Sequence, residues 1–199
     1  MSVMLQDLSL IDIEAIVIGA SAGAIASLTQ LLPPLGADYP LPILVTVHVP
    51  PDQSSKIPSL LQAKCRVTIK EAEDKEFISP GTVYFAPPDY HVLVEKDRSL
   101  SLSNEEPVSF ARPSIDVLFE SAADVYGKTL LALVLSGANH DGARGSCSVV
   151  NAGGIVLVQR PESAGARLMP ESTLAACPEA RAMSLADITR LLASREPKE

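Results

Sequence analysis

The sequence predicts an α/β fold: a doubly wound, mostly parallel sheet flanked by helices, with a β-rich antiparallel ribbon inserted into the pattern. Three observations lead to this prediction. Short apolar runs alternate with segments of helical periodicity. The runs are apolar at nearly every position, as is typical of strands with a helical layer on each face. Between residues 67 and 102, apolar residues instead alternate with polar or small ones, which is typical of strands with one exposed face.

The first part of the chain predicts the order strand, helix, strand, helix. Gly19 ends the first apolar run, and Pro33 with Pro34 closes the helix that follows it. In the last of the four elements, Ser54 is the candidate cap and Pro58 lies in the first turn. The predicted elements are residues 15–18, 23–32, 42–47 and 56–63.

The inserted segment predicts short strands separated by turns. Residues 92–95 and 100–102 predict the two arms of a hairpin whose tip is residues 96–99. Clusters of Ser, Pro, Gly and Asp at residues 79–81 and 87–89 separate the other runs. We therefore expect an antiparallel ribbon that interrupts the α/β alternation.

The alternation resumes at Pro113, which suits the first position of a helix that runs to about Tyr126 and stops at Gly127. A strand, a helix, a strand and two helices are predicted to follow, at residues 130–135, 141–151, 155–158, 171–176 and 185–192. No repeat or long linker divides the chain. Residues 1–199 are therefore predicted to form a single domain. Residues 1–14 and 195–199 are expected to be frayed tails.

The composition argues against several classes of protein. Lys and Arg total 16 against 24 Asp and Glu, so the net charge of −8 disfavours binding to nucleic acid or to an anionic membrane surface. The longest apolar runs are strand-sized, which argues against membrane insertion. The three cysteines form no CxxC pair, and the N-terminus has no basic segment typical of a signal peptide. We expect a cytoplasmic protein with reduced thiols.

Three polar side chains directly follow three predicted strands. Ser21 lies in a turn of glycine and alanine, His48 ends the second strand, and Asp141 follows the strand at 130–135. Because ligands meet an open parallel sheet beyond the carboxyl ends of its strands, we expect all three at one edge. A hydroxyl, an imidazole and a carboxylate form a nucleophile, its base and the acid that orients the base. These residues predict a serine hydrolase that uses neither a metal ion nor a cofactor.

Other interpretations of the same residues stay open. Residues 19–24 are similar to a degenerate dinucleotide-binding turn, although its middle glycine is replaced and His48 stands where an acidic residue is expected. Taken singly, Ser21 or Asp141 also fits a helix N-cap, and His48 a polar residue at a strand end. The occurrence of all three at strand ends favours the triad.

Nearly the whole chain also carries a series of collinear motifs. In order they are VIGASAG (17–23), VHVPP (47–51), KEAED (70–74), PG to YFAP (80–87), RPSIDVLF (112–119) and LSG to HDGA (135–143). Together they resemble the catalytic domain of CheB-type chemotaxis protein-glutamate methylesterases. The resemblance implies a Ser-His-Asp triad that hydrolyses glutamyl methyl esters on chemoreceptors and, in some members, deamidates glutamines. By position it assigns the triad to Ser21, His48 and Asp141, and the oxyanion site to backbone N–H groups at Ala22 and Ala138.

Departures from the family pattern surround these residues. Ala24 replaces a glycine, Ala138 replaces a methionine, and Asn139 replaces a glycine whose position would be strained for Asn if it required a positive φ. His140 is either a surface residue or an extra polar group of the site. The alternative to an active esterase is therefore a catalytically weak or inactive relative that binds a signalling partner.

The resemblance also suggests partners. It implies a methyl-accepting chemoreceptor or a related signalling protein as the substrate. The regulated enzymes of the family carry an N-terminal receiver domain, and residues 1–14 are too few to form one. The sequence is therefore either a stand-alone catalytic domain or part of a longer protein. Without a receiver domain, we expect the site to be either constitutively open or regulated by a separate receiver or regulatory protein.

Overall fold

The computed structural model describes residues 12–48 and 56–195. Nine strands and six α-helices occur within these residues. The strands are β1 (Ala15–Ala20), β2 (Ile43–Val47), β3 (Thr68–Glu71), β4 (Thr82–Phe85), β5 (His91–Val94), β6 (Leu100–Ser103), β7 (Leu130–Val134), β8 (Ile155–Gln159) and β9 (Arg181–Met183). The helices are α1 (Ala24–Leu31), α2 (Ile57–Gln62), α3 (Ile115–Tyr126), α4 (Ala143–Asn151), α5 (Leu168–Ala176) and α6 (Leu185–Ala193).

Seven strands form one sheet in the order β3-β4-β2-β1-β7-β8-β9, and every neighbouring pair in it is parallel. The chain starts at β1, moves outward through β2, and later returns to β7 on the other side of β1. The strand order therefore reverses between β1 and β7, and ligands of such sheets bind at the carboxyl ends of the strands beside this switch point. The predicted doubly wound α/β fold is confirmed.

The all-apolar sequence of β1 follows from this architecture. Ile16 and Ile18 belong to the hydrophobic core on one face of the sheet, whereas Ala15 and Val17 belong to the core on the other. Helices α1, α2 and α6 cover the first face, and α3, α4 and α5 cover the second. Since both faces are covered, neither set of alternating side chains meets water, and the strand is apolar throughout.

The inserted segment is only partly the predicted ribbon. β5 and β6 do form a separate antiparallel pair, and it packs against α3. However, β3 and β4 join the main sheet as parallel strands, which corrects the expectation that this segment interrupts the α/β pattern. The pattern alternates in β3 because this strand lies at the sheet edge, where the side chains of Thr68 and Glu71 are exposed.

Several predicted boundaries need correction. Strand β9 was not predicted, since three residues are too few for a periodic pattern. Ile13 is buried, Glu14 N–H donates to Thr129 O at 2.9 Å, and Arg195 Nη2 donates to Ile13 O at 3.2 Å. Residues 13, 14 and 195 are thus held against the domain, whereas the rest of the two predicted tails, apart from Asp12, lies outside the described residues. Ser54, the predicted cap of α2, lies outside the described residues.

None of the helices within residues 12–48 and 56–195 is long and apolar enough to cross a membrane. The cysteines Cys65, Cys147 and Cys177 are free thiols.

Candidate active site

Ser21 directly follows β1, in the turn that leads into α1. Its N–H donates to Ser136 O at 2.9 Å, and Ala24 N–H donates to Ser21 O at 2.9 Å, so the turn is held at both ends. Gly23 begins the helix with a φ of 87°, and a Cβ at this position would lie 2.7 Å from Ser136 Oγ. Only glycine meets both demands, which explains the glycine of the turn. The hydroxyl of Ser21 is thereby presented, half-buried, beyond the strand end.

Ser136, which follows β7, holds this turn through hydrogen bonds of its side chain. Its Oγ donates to Ala22 O at 2.6 Å and accepts from Ala166 N–H at 2.8 Å. Its own N–H donates to Gln159 Oε1 at 3.1 Å. Ser136 is buried, and its hydrogen bonds connect the loops after three strands of the sheet. The sequence analysis did not identify this role, since a serine after a strand carries no specific signal.

His48, at the end of β2, lies between the two other predicted residues. Its Nδ1 is 3.2 Å from Ser21 Oγ, and its Nε2 is 2.8 Å from Asp141 Oδ2. Because a carboxylate can only accept, Nε2 carries the hydrogen and Nδ1 presents its lone pair to the Ser21 hydroxyl. The ring is 15% exposed, and its edge is therefore largely shielded from competing water. The structure thus brings Ser21, His48 and Asp141 into one hydrogen-bonded chain.

Asp141 follows β7 and is completely buried at the N-terminus of α3. Besides His48, four donors surround its carboxylate: Ser114 Oγ at 2.9 Å, Ile115 N at 2.7 Å, Asp116 N at 3.0 Å and Gly142 N at 3.0 Å. Burial raises the pKa of this carboxyl, but the hydrogen bond from His48 and the backbone N–H groups outweigh burial and hold the pKa below its ordinary value. The carboxylate is therefore ionised at neutral pH although no water reaches it.

The same contacts explain why α3 begins later than predicted. Pro113 precedes the helix, and Ser114 is its N-cap residue. Ile115 and Asp116 are then the first two helical residues, and the N–H groups of both donate to Asp141. The first-turn N–H groups of a helix need external acceptors, and here a carboxylate from another loop supplies them.

Asp116 makes the reciprocal contact. Its Oδ1 accepts from Gly142 N at 2.9 Å and from Gly145 N at 2.8 Å, at the N-terminus of α4. Burial raises the pKa of this carboxyl, and the nearby charge of Asp141 acts in the same direction. The two helices therefore exchange carboxylate caps, since Asp141 precedes α4 but caps α3. The sequence analysis did not identify this role of Asp116. The available signal was that an acidic residue lies on the same face of α3 as the buried Phe119 and Ala123.

The loop from Gly137 to His140 borders His48. Asn139 Oδ1 accepts from Asp141 N at 3.2 Å, and its Nδ2 lies 2.9 Å from His48 Nδ1. Asn139 is not among the described residues with positive φ, so its backbone is unstrained. His140 is exposed and pairs with Ser172 Oγ at 2.8 Å, which makes it a surface residue and not part of the hydrogen-bonded chain.

Two backbone N–H groups lie in the loops that carry Ser21 and Asn139 and have no acceptor among the described residues. Ala22 and Ala138 are both exposed, and within residues 12–48 and 56–195 neither N–H donates to a protein acceptor. Exposed N–H groups without a protein acceptor are the kind of donor that can hold an oxyanion. In the same described residues, no group of three His, Cys, Asp or Glu side chains is arranged to hold a metal ion.

Comparisons with known proteins identify the family to which the chain is similar. Residues 16–192 match the family model described as CheB methylesterase. A Leptospira interrogans protein named putative protein-glutamate methylesterase/protein-glutamine glutaminase is 44% identical over 178 residues, covering 89% of this chain and 92% of its own length. A Paraburkholderia xenovorans protein with the same name, without "putative", is 36% identical over 92% of this chain, which spans about half (51%) of that relative. The crystal structure of the Thermotoga maritima CheB methylesterase catalytic domain matches 90% of this chain and 97% of its own, with a TM-score of 0.83 and 29% identity.

Proposed function

Because the chain belongs to the CheB methylesterase family, we propose that it hydrolyses glutamyl methyl esters with Ser21 as nucleophile, His48 as base and Asp141 as the orienting acid. One observation carries this proposal: the continuous hydrogen-bonded chain from Ser21 Oγ through both ring nitrogens of His48 to Asp141 Oδ2. A serine hydroxyl is a weak nucleophile near neutral pH, and an imidazole in direct contact makes it competent. A carboxylate on the far nitrogen holds the imidazole in the required tautomer.

Acylation follows from these contacts. Ser21 Oγ forms a bond to the ester carbonyl carbon while its proton passes to His48 Nδ1. The imidazolium then keeps its Nε2–H bond to Asp141, whose ionised and buried carboxylate stabilises the positive charge. The carbonyl oxygen becomes an oxyanion, and the free N–H groups of Ala22 and Ala138 are the donors we assign to it.

The tetrahedral intermediate then releases its leaving group. The bond from the carbonyl carbon to the methoxy oxygen breaks, and His48 Nδ1 returns the proton to this oxygen, so methanol leaves. A water molecule next donates a proton to the same nitrogen and attacks the acyl-serine. The bond from the carbonyl carbon to Ser21 Oγ then breaks while His48 Nδ1 returns its proton to this oxygen, which restores the serine and leaves a free glutamate side chain.

The substrate is defined by chemistry and by the relatives. Their names include both protein-glutamate methylesterase and protein-glutamine glutaminase, and an ester and an amide of the same side chain share one acyl intermediate. We propose that methylated glutamates of a chemoreceptor or a related signalling protein are the substrate. We also place the protein in the cytoplasm, consistent with its three free thiols.

The test is Ser21→Ala, with Ser59→Ala as the matched control because Ser59 is exposed on α2 and is not a member of the hydrogen-bonded chain of Ser21, His48 and Asp141. Methanol release from a chemoreceptor fragment methylated at glutamate should fall about 10⁴- to 10⁶-fold in Ser21→Ala, since triad residues act as a unit. Ser59→Ala should match the wild type.

A second readout separates an enzyme from an inactive binder. An alkyl fluorophosphonate should add once to the wild type, and peptide mass spectrometry should place the adduct on Ser21. A protein that binds the receptor fragment but neither releases methanol nor reacts at Ser21 would be a binding module and would refute the proposal.

A further inference from the structure

The side-chain amide of Asn139 occupies the nitrogen of His48 on which the proposed reaction depends. Asn139 Nδ2 lies 2.9 Å from His48 Nδ1, whereas Ser21 Oγ lies 3.2 Å from the same atom. The amide orientation follows from its other end, because Oδ1 accepts from Asp141 N–H at 3.2 Å and Nδ2 must then face the ring.

Two donors therefore compete for one lone pair. With Nε2–H directed at Asp141, Nδ1 is the acceptor of the neutral ring, and it has a single in-plane lone pair. The Asn139 amide and the Ser21 hydroxyl both point hydrogens at it. When Nδ1 takes the proton of Ser21, the new N–H faces the N–H of Asn139, and the bond between these residues is lost. Asn139 thus stabilises the state before proton transfer and not the state after it.

We propose that Asn139 is a positioning residue that acts through His48 and restrains the reaction of Ser21. The amide holds the ring in its resting geometry and must release Nδ1 before the serine, and later the water, can pass a proton to it. Since the bond is absent from the transition state, removing it lowers the barrier to both steps. This inference rests on the proposed function, because it needs Ser21 and His48 to react as a pair.

Inactivation by an alkyl fluorophosphonate isolates the first of these steps. A bond forms between Ser21 Oγ and phosphorus, the phosphorus–fluorine bond breaks, fluoride leaves, and the serine proton passes to His48 Nδ1. The reaction needs no receptor, so its rate reports on the pair alone. The second-order rate constant would be measured from about pH 6 to pH 9, a range in which an ordinary imidazole changes its protonation state.

Two variants distinguish the hydrogen bond that Asn139 Nδ2 donates to His48 from the one that Asn139 Oδ1 accepts from Asp141 N–H. Asn139→Ala removes the whole amide, and the unstrained backbone tolerates alanine. Asn139→Asp keeps the size and an oxygen acceptor for Asp141 N–H, but replaces the donor with a carboxylate oxygen. This oxygen favours a protonated Nδ1. Among the described residues, the charged side chain in contact with the His48 ring is Asp141, and it is common to all three proteins.

Asn139→Ala should react about two- to twelvefold faster than the wild type at the alkaline plateau, the equivalent of one neutral hydrogen bond. Asn139→Asp should react more slowly at neutral pH, with the acidic limb of its profile moved to higher pH. A role limited to holding the loop would instead slow Asn139→Ala and leave Asn139→Asp like the wild type, and this result would overturn the inference. A wild-type protein that is not labelled at Ser21 would refute the proposed function itself, and the inference with it.

Discussion

Replacement of Asp141 by asparagine tests whether this carboxylate orients His48 or only caps a helix. The side chain keeps its size, but one oxygen becomes an NH₂ group that cannot accept a hydrogen bond. In the native structure Oδ1 has three donors, from Ser114, Asp116 and Gly142, and Oδ2 has two, from His48 and Ile115. The donors therefore decide which way the new amide turns.

With NH₂ in place of Oδ1, Asp116 N–H loses its acceptor, whereas Gly142 N–H keeps Asp116 Oδ1 and His48 keeps Oδ2. With NH₂ in place of Oδ2, Ile115 N–H loses its acceptor and His48 changes tautomer, which places Nδ1–H against Ser21 and the amide of Asn139. Either arrangement leaves a buried backbone donor unsatisfied, which costs about 1–3 kcal/mol. We expect Asp141→Asn to lose about this much stability and, in both arrangements, to lose the negative charge that stabilises the His48 imidazolium. Turnover should then fall on the order of 10⁴-fold.

Asp116→Asn is the matched control. Its Oδ1 accepts both helical N–H groups, and its Oδ2 faces only the exposed Arg144 at 3.9 Å, so an asparagine keeps both bonds by placing its NH₂ toward Arg144. We expect this variant to retain turnover within about tenfold, since a weak exposed ion pair is the main loss. Methanol release gives turnover, and urea denaturation gives stability. An Asp141→Asn protein that loses stability while keeping near-wild-type turnover would refute the orienting role.

Three further outcomes follow from the site. Gly23→Ala should lose at least about 1 kcal/mol of stability and most of its reactivity toward the fluorophosphonate. The turn needs a positive φ at this position, and the new Cβ would meet Ser136 Oγ. Reactivity close to that of the wild type would contradict this prediction. Ser136→Ala should cost about 1–3 kcal/mol in urea denaturation, because Ala166 N–H loses its acceptor, and an unchanged midpoint would count against it. The wild type should lose stability relative to Asp141→Asn as pH falls below about 4. The native pKa of Asp141 is lowered, so the ionised carboxylate stabilises the folded state above the unfolded pKa and loses this contribution as it is protonated. A stability difference between the two proteins that does not change with pH would exclude this linkage.

The strand ends could be predicted because they depend on local pattern. Each central strand is an apolar run that stops at a small or polar residue, and the parallel arrangement places those stops at one edge. Ser21, His48 and Asp141 could thus be named as neighbours before any distance was known. The edge strands β3 and β9 could not be placed, since an exposed edge strand resembles a hairpin arm and a three-residue strand has no period.

The polar contacts around the triad could not be predicted for a different reason. Ser136, Asp116 and Asn139 each bond to groups that are distant in the sequence, and their residue types are common in turns and helix caps. Asn139 was considered only for its backbone, whereas its amide makes the contact that matters. Such contacts depend on how loops from different strands meet, which a periodic pattern does not encode.

The exchange of caps between α3 and α4 explains how a buried charge can serve both the fold and the site. A lone ionised carboxylate would not stay charged when completely buried, but Asp141 receives the N–H groups that α3 would otherwise leave unsatisfied. In return, Asp116 from α3 holds Gly142, the residue directly after Asp141. The carboxylate position is therefore set by two helices that pack on each other, and loosening either cap should displace His48 as well. Because the stability of this helix pair and the orientation of the base share the same hydrogen bonds, a variant that improves one is expected to change the other.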